Sequence, residues 1–212
     1  MTRIALIHAL AHSPGPINAA LARDWPEALR MNLLDDSLSA DLARSGRLDG
    51  PMTQRFLALA DYAVGCGADG ILFTCSAFGP CIEAAARRHA AIPVLKPNEA
   101  MVDEAAALGV PIGLLASFGP TLQSMPPEFP SETRLLTDLA DGAMAALDRG
   151  DGPAHDARVV EAACRLARQG AGAIALAQFS LARARDAVAA ATGLPVLTTV
   201  DSAVRRLRQR LG

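Results

Sequence analysis

The chain has 212 residues, 51% hydrophobic and 20% charged, with a formal net charge of −2. That is enough to bury roughly 70% of the unfolded surface, in one large domain or two small ones, and the composition is that of an ordinary globular protein. The near-neutral balance excludes a large basic footprint for nucleic acid, and no run is long and apolar enough to span a membrane.

The opening "MTRIALIHALAHSPG" has a charge and a short apolar run, followed by polar residues and prolines. It reads as a first β-strand and not as a signal peptide. Further strands are expected at "LRMNLL", "GILFTC", "PVLK", "PIGLLAS", "TRLLTDL", "GAIALAQ" and "PVLTT". Between most of them lie segments of helical periodicity, such as "MTQRFLALADYAVGCG" and "HDARVVEAACRLARQG". This alternation predicts an α/β fold with parallel sheets flanked by helices. The late run "RRLRQR" reads as the solvated face of a last helix.

The chain repeats itself. "FLALADYAVGCGADGILFTCSAFG", from Phe56, lies over "VVEAACRLARQGAGAIALAQFSLA", from Val159. "AIPVLKPNEAMV" then corresponds to "GLPVLTTVDSAV", and "RIALIHAL" to "PIGLLASF". Each half reads as a four-stranded α/β lobe, so the expected fold is two pseudo-twofold-related lobes with a cleft between them. The expected division is 1–97 plus 199–212 for the first lobe and 98–198 for the second.

In open parallel sheets, ligands bind beyond the carboxyl ends of the strands. Cys75 stands at such an end, followed by Ser76, Ala77, Phe78, Gly79 and Pro80. Proline favours the first helical turn, so the amides after Cys75 are expected to face out of a helix start, where they can hold a carboxylate or enolate oxygen. The same positive end is expected to lower the thiol pKa and suit Cys75 to proton transfer or nucleophilic attack. Other strand ends supply His8, His12 and Ser13; Asn32, Asp35, Asp36 and Ser37; Lys96 and Asn98; Ser117, Gly119, Pro120 and Thr121; and Gln178, Phe179 and Ser180. Asp36, Ser37 and Asn98 read equally well as helix caps. Phe78, Phe118 and Phe179 fit either a partly hydrophobic substrate or core packing.

Cys66 and Cys164 lie on helical stretches and read as packing residues, as does Cys81. The four cysteines form no CxxC and no metal spacing, as expected of reduced thiols in a cytoplasmic protein. His89 and His155 are assigned no chemistry. No GxGxxG follows the first strand, and GxxxxGK[ST], HExxH and GxSxG are all missing. No metal and no cofactor is therefore expected.

On "GILFTCSAFGP", "PVLKPNEAMVDEA", "PIGLLAS" and "GAIALAQFSLARA" with "PVLTTVDSAV", the chain resembles the aspartate/glutamate/hydantoin racemase superfamily over essentially its whole length. The resemblance implies two similar α/β lobes and cofactor-independent proton transfer next to the carboxylate of a small acid or amino-acid derivative. It implies one cysteine from each lobe on opposite faces of the substrate carbon. Cys75 matches the first of these; Gln178 stands where the second is expected, and a carboxamide carries no transferable proton. His8, Asp36, Ser76, Ala77, Asn98, Ser117, Thr121, Gln178, Phe179 and Ser180 are the expected substrate-binding residues. The superfamily also includes one-cysteine decarboxylases and double-bond isomerases, which keep those reactions open, though in the decarboxylase the cysteine belongs to the second lobe. A protein of a different class, which binds a small carboxylate without reacting it, also fits a missing second thiol. A homodimer is the commonest default assembly.

Overall fold

The computed structural model describes all residues, Met1–Gly212. The chain forms two units, Met1–Pro97 with Ala203–Gly212, and Asn98–Ser202. Unit one contains β1 (Arg3–His8), α1 (Pro14–Asp24), β2 (Leu29–Leu34), α2 (Ser37–Ser45), α3 (Gly50–Gly65), β3 (Gly70–Phe73), α4 (Gly79–Arg88) and β4 (Val94–Leu95). Unit two contains α5 (Glu99–Ala107), β5 (Ile112–Ala116), α6 (Gly119–Ser124), β6 (Leu135–Leu139), α7 (Ala143–Asp148), α8 (Gly152–Arg168), β7 (Ala173–Leu176), α9 (Arg185–Thr192) and β8 (Val196–Thr198). A last helix, α10 (Thr199–Leu211), begins in unit two and ends in unit one.

Each unit has one four-stranded sheet, ordered β2-β1-β3-β4 in the first and β6-β5-β7-β8 in the second. All pairings are parallel, and the register of Ile7 with Phe73 is matched by that of Leu115 with Leu176. The two sheets thus share one topology, as the internal repeat predicts. The central strands β3, β5 and β7 are buried at every position, which their unbroken apolar runs require of strands covered on both faces. The edge strand β2 alternates between exposed and half-buried positions.

Unit two shows how the two faces are filled. Leu115, Ile174 and Leu176 pack with Val159, Ala162, Leu166 and Val188 of α8 and α9. Leu114, Ala116, Ala173 and Ala175 point the other way, onto Met101, Val102 and Ala105 of α5 and onto Met125 and Phe129. This is the two-residue period of a pleated strand with a helix layer on each side. The helices α3 and α8 begin alike. Asp49 accepts a hydrogen bond from the Met52 amide at 3.0 Å, Asp151 accepts one from the Ala154 amide at 3.0 Å, and each helix has a proline in its first turn.

The chain returns to unit one at Ala203, not at residue 199 as the sequence suggests. The intervening residues stay tied to unit two. Thr198 Oγ1 donates to Asp201 Oδ2 at 2.8 Å, Asp201 lies 3.6 Å from the Arg185 guanidinium, and Ser202 Oγ donates to Glu104 Oε2 at 2.6 Å. Beyond that point Val204 and Leu207 are buried and Arg208 donates to the Asp24 carbonyl at 2.8 Å. Leu211 lies over Gly70, where a Cβ would come within 2.7 Å of its Cδ1. No helix is long and apolar enough to cross a membrane.

Gly113 of β5 is a second close approach. A Cβ there would lie 2.9 Å from Ile174 Cδ1, 3.1 Å from Leu166 Cβ and 3.2 Å from Ala171 Cβ. The latter two atoms cannot move without their backbones. Gly113→Ala is therefore expected to destabilise the protein by about 1–3 kcal/mol, read as a lower denaturant midpoint at unchanged slope.

Candidate active site

In unit one the chain leaves β3 at Phe73 and places Thr74 and Cys75 beyond the carboxyl end of the sheet. Cys75 is extended, with φ −126° and ψ 118°, and caps a three-residue 3₁₀ turn, Ser76–Phe78, that leads into α4. The residue is buried, 8% exposed. The Ala77 amide and the Ser39 hydroxyl of α2 both favour its thiolate. Ser39 Oγ is buried and closes no hydrogen bond of normal geometry. The two observations together make Ser39 a near neighbour of the sulfur, within electrostatic reach and short of a bond.

Burial pushes the Cys75 thiol up from 9.0 to about 11, against the smaller opposing pulls of the Ala77 amide and the Ser39 hydroxyl. This corrects the expectation of a thiol acidified by a helix start. The helix opens with a short turn that gives the sulfur one amide, and the loss of water outweighs it. At neutral pH the group is a thiol, suited to giving a proton.

His8, at the end of β1, is fully buried and lies beside this corner through Thr74. Its Nδ1 is 2.8 Å from Thr74 Oγ1 and its Nε2 is 3.0 Å from Asn32 Oδ1. Asn32 Oδ1 also accepts from Asn18 Nδ2 at 2.8 Å, so it is the acceptor for a His8 Nε2–H, and Nδ1 accepts the Thr74 hydroxyl proton. Burial lowers the His8 pKa, and the bond to Asn32 opposes this. Both ring nitrogens are thus engaged within unit one. Asp36 occupies the cap position of α2, is exposed, and makes no side-chain capping bond. Ser76 and Ala77 are buried. Phe78 is buried against Phe56, ring centroids 4.8 Å apart, and belongs to the core. Cys81 is likewise buried, its sulfur 3.5 Å from Thr53 Oγ1.

In unit two, Gln178 follows β7 in the same backbone setting, with φ −139° and ψ 148°, and caps the 3₁₀ turn Phe179–Ala184. Its Oε1 accepts from the Ser117 amide at 2.6 Å, the Phe118 amide at 3.1 Å and the Ser117 hydroxyl at 3.2 Å. Gln178, Ser117 and Phe118 are thereby brought together at the ends of β7 and β5. Two backbone N–H groups can only donate, so the carboxamide oxygen faces them and Nε2 faces away. Thr121, Phe179 and Ser180 are buried. Asn98 stands at the cap position of α5 but makes no capping bond, and both its side-chain polar atoms are buried without a partner. The capping role open to Asp36 and Asn98 on sequence is not the one the structure gives them.

Ser39 is the residue of the Cys75 corner that the sequence does not point to. It lies inside a helix, away from any strand end, and only the approach of α2 brings it to the sulfur. No group of His, Cys, Asp and Glu side chains is placed to hold a metal ion.

The two α/β units thus share one topology, and each has a polar corner beyond its third strand in chain order. The chain belongs to the Asp/Glu/Hydantoin racemase family, which it matches over residues 17–207. Its fold is similar to that of allantoin racemase from Klebsiella pneumoniae, at 22% identity and a TM-score of 0.75, over 99% of this chain and 87% of that one. It is also similar to glutamate racemase from Bacillus anthracis, at 12% identity and a TM-score of 0.76, over 98% of this chain and 80% of that one. Unliganded arylmalonate decarboxylase is similar at 15% identity and a TM-score of 0.65, over 100% of this chain and 94% of that one. At these identities the likeness is one of fold. No curated protein matches the sequence.

Two outcomes follow for Cys75. Replacing Ser39 by alanine removes a group that lowers the thiol pKa, so in Ser39→Ala the pH profile of Cys75 alkylation by iodoacetamide, read by mass spectrometry, moves to higher pH. The raised pKa also makes stability pH-dependent. Between 9.0 and about 11 the unfolded chain has lost this proton while the folded chain keeps it. Stability then falls as pH rises through that window, by at most roughly 3 kcal/mol. Cys75→Ser removes this part of the slope in urea titrations across the same range.

Proposed function

We propose that this chain is an enzyme of the racemase family that transfers a proton at the carbon next to the carboxylate of a small acid, with Cys75 as its one sulfur proton carrier and without a cofactor. The observation that carries the reading is the Cys75 corner itself: a resting thiol whose thiolate the Ala77 amide favours, matched in the internal repeat by Gln178, which has no proton to give. In the productive step the S–H bond of Cys75 breaks and a C–H bond forms. The electron pair of an enediolate, left when CO₂ departs the carbon, enters the new C–H bond. The thiolate that remains is held by the Ala77 N–H until solvent returns the proton. Such a general acid contributes about 10²–10⁴-fold.

With one proton carrier, delivery comes from one side only. This favours single-handed products, as in decarboxylation with protonation or in double-bond isomerisation, over the equal mixture that a racemase gives. Allantoin racemase and arylmalonate decarboxylase, both similar in fold, supply the two kinds of acid with which to begin.

The test is to incubate 2-substituted malonates, 2-substituted carboxylic acids and ureido acids with the protein in D₂O, and to follow the carbon next to the carboxylate by NMR and chiral chromatography. Deuterium is expected to enter one product enantiomer, and Cys75→Ala is expected to slow this at least 10²-fold. Gln178→Cys is expected to add exchange into the opposite enantiomer. Equal labelling of both enantiomers by the unaltered chain, or labelling that survives Cys75→Ala, would overturn the reading, as would the absence of turnover across all three acid types.

A further inference from the structure

One turn of α3 reaches both flanks of the Cys75 corner. Phe56 stacks on Phe73, the last residue of β3, with ring centroids 5.3 Å apart, and packs on Phe78 of the 3₁₀ turn at 4.8 Å. Thr53 Oγ1 lies 3.5 Å from the sulfur of Cys81, in the first turn of α4. These contacts hold the chain before and after Cys75. Arg55, between the two in sequence, serves α2 instead. Its Nη2 donates to Asp35 Oδ2 and to Ser37 Oγ, each at 2.6 Å, and its Nη1 donates to Asp41 Oδ2 at 2.6 Å. Ser37 Oγ donates in turn to Asp35 Oδ1.

The guanidinium thus grips α2 at its start, through Asp35 and Ser37, and one turn further on, through Asp41. The buried residues of α2 are Leu38, Ser39 and Leu42, and Ser39 is the near neighbour of the Cys75 sulfur. Two leucines are a small seat for a helix of nine residues, a length that is marginal in water by itself. The grip is also tied to the sheet: the Asp35 amide donates to the His8 carbonyl at 3.0 Å, and His8 reaches Thr74, the residue before Cys75. The side chains of Arg55, Asp35 and Asp41 are 33%, 29% and 32% exposed, and pairs this open to water contribute little to stability. What the three bonds provide is position. A planar fork can span two carboxylates in this way, and the single ammonium of a lysine cannot. Arg44 also meets Asp41, at 2.7 Å, but is 81% exposed and touches neither Asp35 nor Ser37 through any such bond.

We propose that Arg55 is a positioning residue: by holding α2 at Asp35, Ser37 and Asp41, it keeps Ser39 beside the Cys75 sulfur and keeps water away from that corner. Its bearing on turnover rests on the proton-transfer reading; its effect on the sulfur does not. Two opposite consequences separate Arg55 from Ser39. The Ser39 hydroxyl favours the thiolate, while loss of water disfavours it and is the larger influence. Releasing α2 removes both, so the sulfur ionises more readily. Removing the Ser39 hydroxyl alone leaves the sulfur dry and makes it ionise less readily.

The test is the pH profile of alkylation by iodoacetamide in the full chain, with each cysteine followed by mass spectrometry. In Arg55→Ala the Cys75 midpoint is expected to move to lower pH, opposite to its movement in Ser39→Ala. Each unit of that movement speeds Cys75 alkylation at neutral pH about tenfold. Arg55→Lys, which keeps the charge and loses the fork, is expected to fall between Arg55→Ala and the unaltered chain. Arg44→Ala is expected to leave the profile unchanged. Cys81 is the internal control, because Thr53 and not Arg55 touches it; in Arg55→Ala its alkylation is expected to stay as slow as before. A Cys75 midpoint that stays in place or rises in Arg55→Ala would overturn the proposal. So would an equal gain in reactivity at Cys75 and Cys81, which would make Arg55 a support of the whole unit. Alkylation needs no substrate, so this proposal and the catalytic reading fail separately.

Discussion

A sulfur shut off from water holds its proton, and the character of the Cys75 corner follows from that. Strand β3 is apolar at every position, so the sheet delivers the residue after it to a place already closed by helices. One amide, from Ala77, and one nearby hydroxyl, from Ser39, pull toward the thiolate and do not prevail over dehydration. The corner therefore rests in its neutral form, with the means to accommodate charge when a proton leaves. At neutral pH such a buried group keeps its proton.

The two units solve the same backbone problem with different side chains. In unit one the space between the first and third strand ends is bridged by His8 and Thr74, side chain to side chain, with Asn32 behind. In unit two the matching positions of the repeat are Ala116 and Ala177, which have nothing to bridge with. There Gln178 reaches back to the Ser117 and Phe118 backbone instead. A carboxamide where the repeat has a thiol thus serves as a brace. The brace works because alanines at 116 and 177 leave the backbone amides within reach.

Much of this was legible before the fold. Continuous apolar runs mark β3, β5 and β7 because strands covered on both faces have no polar face to show. The repeat is legible because both units need the same succession of helix, turn, strand and corner. The Cys75 thiol was misjudged because sequence displays the coming helix and hides the burial, which depends on where α2 lies. Ser39 was missed for the same reason. Asparagine before a helix usually caps it, and only the fold shows that both polar atoms of Asn98 lie buried without a partner. The boundary at Ala203 depends on side-chain ties of Thr198, Asp201 and Ser202 that no periodicity encodes.

The path of α10 has a bearing on how the chain matures during synthesis. Unit two is one uninterrupted stretch, Asn98–Ser202, and contains everything its own core requires once it has left the ribosome. Unit one is interrupted: Val204 and Leu207 complete its interior and Leu211 lies over Gly70, near the start of β3. The segment translated first is thus the one that waits longest, exposing an incomplete apolar surface while its partner folds. For this molecule the order of translation and the order of completion run in opposite directions.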